Sequence, residues 1–230
     1  MQKATVIIPV FNEKDTISEL LNRVEKASFA GLEKEIILVD DFSTDGTRSI
    51  LDGLKDKYKI LYHEKNKGKG AAVKTAVKEA SGDFIVIQDA DLEYSPDDYD
   101  KLLPFLINDE ADAVYGSRFK NSSNDKNFIL KNKLANLFLT ALTNVLYGCS
   151  ITDMETCYKA FKRSLIQPVK INADRFDFEP EITAKILKKK ARLKEVPISY
   201  NGRGHEEGKK INWKDGLQAI WTLFKYRFID

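Results

Sequence analysis

Short apolar runs alternate with amphipathic stretches along the first half of the chain. The runs at 4–10, 35–39, 60–62, 84–87 and 113–118 are mostly continuous and rich in β-branched residues. That pattern is typical of strands buried on both faces of a parallel sheet. Between the runs, apolar residues recur at helical spacing, and Thr16 with Glu19 has the spacing of a capping box at a helix start. Strands that alternate with helices predict βαβ units in one doubly wound α/β domain.

The last third of the chain is predicted to be helical and basic. Residues 128–147 and 213–228 each place apolar side chains on one helical face. In the first stretch Ile129, Leu139 and Leu146 lie off that face, so they count as surplus apolar residues. Both helices could simply cover the sheet, but this surplus and the nearby Trp, Lys and Arg residues favour contact with a membrane surface.

Acidic residues follow three of the predicted strands. Asp89 and Asp91 come after the most apolar strand, Asp40 and Asp41 after the second, and Glu13 shortly after the first. In an extended chain residues i and i+2 share a face, so Asp89 and Asp91 are expected to point the same way at the edge where α/β sheets bind ligands. Two carboxylates so close favour Mg²⁺ or Mn²⁺ bound together with substrate phosphates, although an isolated pair of this kind also occurs at solvated strand ends.

Composition excludes several classes of function. Lys and Arg nearly balance Asp and Glu, for a formal net charge of +2, so no overall field predicts a nucleic-acid partner. Cys149 and Cys157 form neither a disulfide framework nor a zinc pattern, which fits a reducing cytosol. No signal peptide and no apolar run long enough to span a bilayer is visible, so a cytoplasmic protein is expected.

The segment 67–70 (KGKG) invites a phosphate-loop interpretation, but its spacing is neither that of a P-loop nor that of a dinucleotide fingerprint. We expect its glycines to allow close backbone approach at a helix start. Ser95 and Pro96 predict another helix start, with Ser95 as N-cap.

Several motifs, in order along nearly the whole chain, resemble the inverting family 2 glycosyltransferases of GT-A fold. They are 6–13 (VIIPVFNE), 37–47 (ILVDDFSTDGT), 66–72 (NKGKGAA) and 88–91 (QDAD). Later motifs are similar to the dolichyl- or polyprenyl-phosphate sugar transferase branch. They are 116–119 (GSRF), 152–159 (TDMETCYK), 176–181 (FDFEPE) and 196–200 (VPISY). The resemblance implies one GT-A domain over 1–230, with a nucleotide-sugar half at about 1–120 and an acceptor half at about 121–230.

The resemblance also implies roles for individual residues on the donor side. A nucleoside cradle would include Pro9, Phe11, Glu13 and Asp40, with Asp41 as a second acid. Asp89 and Asp91, with Ala90 between them, would hold Mg²⁺ or Mn²⁺ on the donor diphosphate, and Glu93 would complete the metal site. Lys69 would lie near the donor, and Arg203 and Lys209 would clamp the diphosphate from a mobile loop.

On the acceptor side, Arg118 resembles the residue that holds the acceptor phosphate, assisted by Lys131. Asp153 and Glu155 are expected in the wall of the active site, so the predicted catalytic set is Asp91, Arg118, Asp153 and Glu155. A phosphate acceptor is already an anion, and a strong general base is therefore not needed. Glu181 is a further candidate, equally explained as an acid at a helix start.

The predicted function is metal-dependent, inverting transfer of a hexose from a GDP-mannose or UDP-glucose type donor to a polyprenyl phosphate. The enzyme would work peripherally at the cytoplasmic face of a membrane, and an integral-membrane partner is one open possibility. Three alternatives remain: a soluble glycan or protein acceptor, a nucleotidyltransferase, and a non-catalytic sugar-nucleotide-binding module. Against the nucleotidyltransferase, residues 9–12 (PVFN) stand where a Gly-rich triphosphate loop is expected.

Overall fold

A mixed sheet runs through the computed structural model, which describes residues 1–120, 130–202 and 213–229. Within those ranges the sheet has seven strands in the order β3-β2-β1-β4-β6-β5-β7. Their bounds are β1 Lys3–Val10, β2 Glu33–Asp40, β3 Lys59–Tyr62, β4 Phe84–Ile87, β5 Ala113–Ser117, β6 Lys159–Lys162 and β7 Leu193–Pro197.

The helices connect these strands along the chain. They are α1 Ile17–Lys26, α2 Thr47–Asp52, α3 Lys69–Glu79, α4 Tyr99–Ile107 (after a 3₁₀ turn at Pro96–Asp98), α5 Leu130–Tyr147, α6 Arg163–Ile166, α7 Phe178–Lys188 and α8 Trp213–Phe228. The predicted strands of the first half are all present, with bounds that differ by at most two residues. Ser95 accepts a hydrogen bond from the Asp97 N–H and Pro96 opens the turn, which confirms the predicted start.

Strand pairing is mostly parallel, as predicted. β1 pairs with β2 and β4, β2 with β3, and β5 with β7, all in parallel. The exception is β6, which runs antiparallel to both of its neighbours, β4 and β5. The carboxyl ends of β1, β2 and β4 therefore lie at one edge, and the segment that precedes β6 reaches the same edge from the opposite direction.

Helices cover both faces of the sheet, so β1 is buried on both sides. Val6 and Ile8 pack with α1 and α4, whereas Ile7 packs with α3 and α7. This alternation explains why the strand is continuously apolar in sequence. The α/β fold with helices on both faces is thus confirmed.

Two predicted features were wrong. Thr16 does not cap α1 through its side chain: its hydroxyl donates to Glu13, and Glu19 pairs with Arg23 at 2.8 Å, so no capping box forms. The last third is also not purely helical, since β6 and β7 complete the sheet. Both strands are short, and their sequences (KAFK and LKEVP) lack the long apolar run of a central strand.

The helices α5 and α8 pack against one another through Leu139, Ala219 and Leu223. Leu139, which the sequence placed off the apolar stripe, is therefore a buried contact residue. The predicted stripe instead faces outward: 58% of Phe138 and 62% of Trp221 is exposed, as are parts of Leu134, Leu137, Val145, Leu217 and Phe224. No helix among the described residues has the length and apolar character needed to span a bilayer.

Candidate active site

The loops after β1 and β2 are joined by backbone-to-side-chain hydrogen bonds. The N–H of Asn12 donates to the Ser43 hydroxyl (2.9 Å), and the N–H of Glu13 donates to the Thr47 hydroxyl (2.9 Å). Asn12 has a φ of 56°, a left-handed conformation that Asn tolerates better than most residues. These bonds place the half-buried Pro9, Phe11 and Glu13 beside the β2 loop, as a cradle at the sheet edge requires.

The two acids that end β2 are occupied by protein groups. Asp40 is fully buried, its Oδ2 lies 2.7 Å from Nε and 2.6 Å from Nη2 of Arg48, and its Oδ1 accepts from the Ser43 N–H. Asp41 accepts from the backbone N–H groups of Lys67 and Gly68 and lies 2.7 Å from Nδ1 of His63. Both carboxylates thus shape the loops around the cradle, and their contacts favour that role over direct contact with a ligand.

The start of α3 is closed by backbone rather than open to a phosphate. The carbonyl of Asp174 accepts from the Ala71 N–H at 3.0 Å. A Cβ at Gly68 would lie 2.4 Å from that carbonyl oxygen, and one at Gly70 would lie 2.6 Å from the carbonyl oxygen of Ala173. The glycines therefore permit the close backbone approach that the sequence predicted. Because Asp41 takes the preceding N–H groups, this turn is not a phosphate-binding loop.

Lys69, the first residue of α3, lies between two carboxylates. Its Nζ is 2.8 and 3.1 Å from the two oxygens of Asp89 and 3.0 Å from Oε1 of Glu179 on α7. Burial lowers the pKa of Lys69, but Asp89, Cys157 and Glu179 outweigh it and hold that pKa well above its usual value. Burial raises the pKa of Asp89, but Lys69 outweighs it, and the pKa of Asp89 is lowered.

Asp89, Asp91 and Glu93 follow β4 but do not continue it. The strand ends at Ile87, residues 90–91 form a turn, and Leu92 has a φ of 63°. The alternation of an extended chain therefore does not apply to these acids, contrary to the sequence argument. Asp91 accepts from the N–H of Glu93 (3.1 Å), and Glu93 accepts from the hydroxyl of Tyr200 (3.1 Å).

Arg118 and Asp153 form a buried pair at the same edge. The Nε and Nη2 of Arg118 donate to the two oxygens of Asp153 at 2.8 Å each, and the Arg118 N–H donates to Asp153 at 2.9 Å. Burial lowers the pKa of the guanidinium, but Asp153 outweighs it and raises that pKa further above its usual range. The guanidinium also lies 5.3 Å from the ring centre of Tyr200. Tyr200 therefore links this pair to Glu93.

Glu155 lies in the segment between Asp153 and β6, and its Oε1 is enclosed without a hydrogen-bond partner among the described residues. Burial, then the charge of Glu179, raises the pKa of Glu155 to about 8, against the opposing charges of Lys159 and Arg118. The fully buried Lys159 donates to the carbonyls of Met154 and Thr156, and burial lowers its pKa. The charge of the Glu155 carboxyl group therefore depends on its burial and on the neighbouring charges of Glu179, Lys159 and Arg118.

The family follows from comparison with known proteins. Residues 5–169 match the model of glycosyl transferase family 2. The chain belongs to this family.

Two named glycosyltransferases that are similar to this chain agree with that assignment. The chain is 33% identical to the UDP-N-acetylglucosamine–dolichyl-phosphate N-acetylglucosaminyltransferase of Methanococcus voltae, covering 95% of this chain and 93% of that one. It is 32% identical to the dolichol-phosphate mannosyltransferase of Pyrococcus furiosus, covering 97% of this chain and 64% of that protein. The predicted family and the prediction of a glycosyltransferase are confirmed.

A solved structure confirms the GT-A fold of this glycosyltransferase. Glucosyl-3-phosphoglycerate synthase from Mycobacterium tuberculosis, in complex with Mn²⁺, UDP and phosphoglyceric acid, superposes with a TM-score of 0.75. The identity is 20%, and the match covers 100% of this chain and 80% of the synthase. Another crystal of the same synthase contains Mg²⁺ and UDP.

The glycosyltransferase site fits a divalent cation only as a partial donor set. Within the described ranges, no three His, Cys, Asp or Glu side chains are grouped to hold a metal ion, so Asp89, Asp91 and Glu93 are not a preassembled triad. Carboxylate oxygens nevertheless suit Mg²⁺ and Mn²⁺, and Mg²⁺ is usually held by one or two carboxylates with water and substrate phosphates. Asp89 and Asp91 supply two carboxylates of that kind.

Other candidates lie in different places. Glu181 binds the N–H groups of Asn172 and Ala173 and the ammonium of Lys185, which favours a structural role. Lys131 is exposed on α5. Arg203 and Lys209 lie outside the described residues. Just before them, the N–H of Asn201 donates a hydrogen bond to the Glu93 carbonyl (2.9 Å).

Sequence reasoning missed Glu179, Lys159 and Tyr200 as residues of the site. Each lies inside a motif that the family resemblance already included. Their juxtaposition depends on how α7, β6 and the segment after β7 meet at the edge, and spacing along the chain does not reveal it.

Proposed function

We propose that this glycosyltransferase moves a hexose from a nucleoside-diphosphate sugar, of the GDP-mannose or UDP-glucose type, to a polyprenyl phosphate. The observation that carries the proposal is Arg118: a buried cation, fixed by Asp153, stands at the sheet edge that also holds Asp89 and Asp91. An anionic acceptor and a diphosphate donor both need positive charge there. The dolichyl-phosphate acceptors named for the two relatives support the same acceptor class.

On the donor side, Pro9, Phe11 and Glu13 line the cradle for the nucleoside, and Asp89 and Asp91 hold a divalent cation. When bound, that cation supplies Lewis-acid charge neutralisation to the departing nucleoside diphosphate. Glu93 follows Asp89 and Asp91 in the segment after β4, and its hydrogen bond from the Tyr200 hydroxyl supports that segment. Arg203 and Lys209 are proposed to contact the diphosphate.

On the acceptor side, Arg118 orients the lipid phosphate. A phosphate oxygen attacks the anomeric carbon of the sugar, the bond from that carbon to the diphosphate oxygen breaks, and the electron pair leaves with the nucleoside diphosphate. The nucleophile is already ionised, so Asp153 and Glu155 need not remove a proton from it. Positioning and charge stabilisation therefore supply the catalysis.

The outward-facing apolar stripes of α5 and α8 support peripheral contact with the membrane that carries such an acceptor. Aromatic and aliphatic side chains are exposed along both helices, and Lys225 and Arg227 stand at the end of α8. Apolar side chains flanked by basic ones are typical of helices that lie in a membrane interface. If the enzyme is instead attached through an integral-membrane partner, that partner would contact the same apolar stripes of α5 and α8.

The test has two stages. Thermal-shift measurements with Mn²⁺ and a panel of GDP- and UDP-sugars identify the donor, because a ligand of the native state raises the melting temperature. Transfer is then measured to a short polyprenyl phosphate and, in parallel, to soluble glycan and protein acceptors. We expect product only with the lipid phosphate. Transfer only to a soluble acceptor would assign the alternative acceptor class, and donor binding without transfer or hydrolysis would assign a non-catalytic module.

A further inference from the structure

Lys69 is held from two sides by carboxylates that are far apart in sequence. Asp89 follows β4, and Glu179 lies in the first turn of α7. The three side chains are between 5% and 16% exposed, so solvent screens their interaction little. The Lys69 ammonium therefore has two carboxylate partners, Asp89 and Glu179.

Backbone contacts hold the helix start that carries Glu179 against the start of α3. The loop before α7 packs on the start of α3 through the Asp174 carbonyl, which accepts from the Ala71 N–H. The absence of a Cβ at Gly68 and Gly70 allows that approach. Glu179 and Lys69 thus belong to two helix starts that are already locked together.

If the proposed function is correct, Asp89 binds two cations: the Lys69 ammonium and a divalent metal ion. A divalent ion with its diphosphate needs an oxygen of Asp89, and Lys69 already contacts both oxygens. Without a second anchor, the ammonium would pair with Asp89 alone and compete with the divalent ion. With Glu179 in place, Lys69 has a partner that the donor does not need.

We propose that Glu179 is a positioning residue of the donor site, which holds the Lys69 ammonium so that Asp89 keeps one orientation and remains available to a divalent cation. This inference rests on the proposed function. It assigns to Glu179 an effect that acts through Lys69 and not by contact with the donor.

The experiment is a double-mutant cycle on binding, without turnover. Isothermal titration calorimetry measures the affinity for GDP and for UDP at saturating Mn²⁺, and for Mn²⁺ at a fixed nucleotide concentration. The proteins are wild type, Glu179→Gln, Lys69→Met and the double variant. Glu110→Gln is the control, because it removes one charge from an exposed ion pair with Lys194.

We expect Glu179→Gln to weaken Mn²⁺ binding in the presence of nucleotide by about tenfold, as is common for residues that support a metal ligand. The control should bind like wild type. The double variant should bind no more weakly than Lys69→Met alone, because residues that act as a unit are not additive. If Glu179→Gln does not fold, Glu179→Asp, whose carboxylate is one methylene further from Lys69, should show a several-fold loss.

Two results would overturn the inference while leaving the proposed function intact. One is wild-type affinity in the folded Glu179 variant, and the other is a double variant in which the two losses multiply. Wild-type protein that binds neither nucleotide with Mn²⁺ would overturn the proposed function, and this inference with it.

Discussion

Glu155 shows at the scale of a single residue how burial creates a pH response. Its pKa is raised to about 8 in the folded protein, first by burial and then by Glu179, from a usual value of 4.5. Between those values the folded protein keeps a proton that the unfolded chain loses, so the free energy of unfolding falls as pH rises through this window. Below pH 4.5 both states are protonated and the effect is absent.

Glu155→Gln should remove this pH dependence because its amide does not ionise. We expect the free energy of unfolding of the variant, relative to wild type, to be higher at pH 8 than at pH 5. Urea denaturation at the two pH values measures the difference. An equal difference at both would show that Glu155 is ionised throughout and that its surroundings do not raise its pKa.

Arg118→Lys separates charge from geometry at the proposed acceptor site. The ammonium keeps the pairing charge for the buried Asp153, whereas Arg118→Ala would leave that carboxylate unpaired at a cost of about 3–5 kcal/mol. A lysine loses the two-pronged hydrogen bonding of the guanidinium. We therefore expect transfer to polyprenyl phosphate to fall by about tenfold or more while nucleotide binding stays at the wild-type level. Unchanged transfer kinetics would remove Arg118 from the acceptor site.

Asp91→Asn tests the metal site. The amide is a weaker ligand than the carboxylate, so metal-dependent donor binding should weaken and turnover should drop by roughly a hundredfold or more. The exposed acid Asp100, mutated to Asn, is a matched control outside the site. Transfer assays over a range of Mn²⁺ concentrations, with EDTA as the blank, give the comparison. Full activity of the Asp91 variant in EDTA would refute the site.

At this scale the sequence identified residues better than it identified their contacts. The motif at 88–91 identified the acids Asp89 and Asp91. The prediction that both lie on one face of a strand was wrong, because β4 ends at Ile87. Glu179 went unnoticed because a Glu in the first turn of a helix is favoured by the helix dipole alone. Its pairing with Lys69 depends on the approach of α7 to α3, which no local pattern encodes.

At the scale of elements, α5 and α8 show where periodicity was informative and where it was not. The apolar period predicted both helices, and α8 agrees in its bounds. The period did not show which face is buried: Leu139, off the apolar stripe, lies in the contact with α8, whereas Phe138, on the stripe, is exposed. A helix with apolar residues on more than one side does not reveal which side meets the core.

This arrangement predicts how the helices would contribute to the proposed membrane contact. Phe138→Ser together with Trp221→Ser removes two exposed aromatic side chains, so folding should be retained. Each lost aromatic removes apolar area from the interface, and co-sedimentation with anionic liposomes should fall by about tenfold or more. Leu139→Ala, on the buried side of α5, should instead lower stability by about 2–5 kcal/mol and leave liposome binding of the folded protein intact. Equal sedimentation of the double variant and wild type would exclude these stripes as the membrane contact.

At the scale of the whole molecule, the proposed mechanism brings donor and acceptor to one reaction centre. The proposed attack is a single displacement, with no protein nucleophile among the assigned residues. An α-linked donor should therefore give a β-linked lipid product. NMR of the anomeric proton of the isolated product checks the configuration, and retained α-linkage would require a second displacement that this mechanism does not contain.

The antiparallel strand β6 has a consequence for chimaeric enzymes. Although it comes after residue 121 in the chain, it is inserted between β4 and β5, which come before. A hybrid joined near residue 120, meant to exchange acceptor preference between two family members, would ask β6 of one parent to fit between two strands of the other. Recombination in this family should therefore succeed where β4, β5 and β6 travel together, and acceptor preference should evolve by substitution within the segment before β6 rather than by exchange of halves.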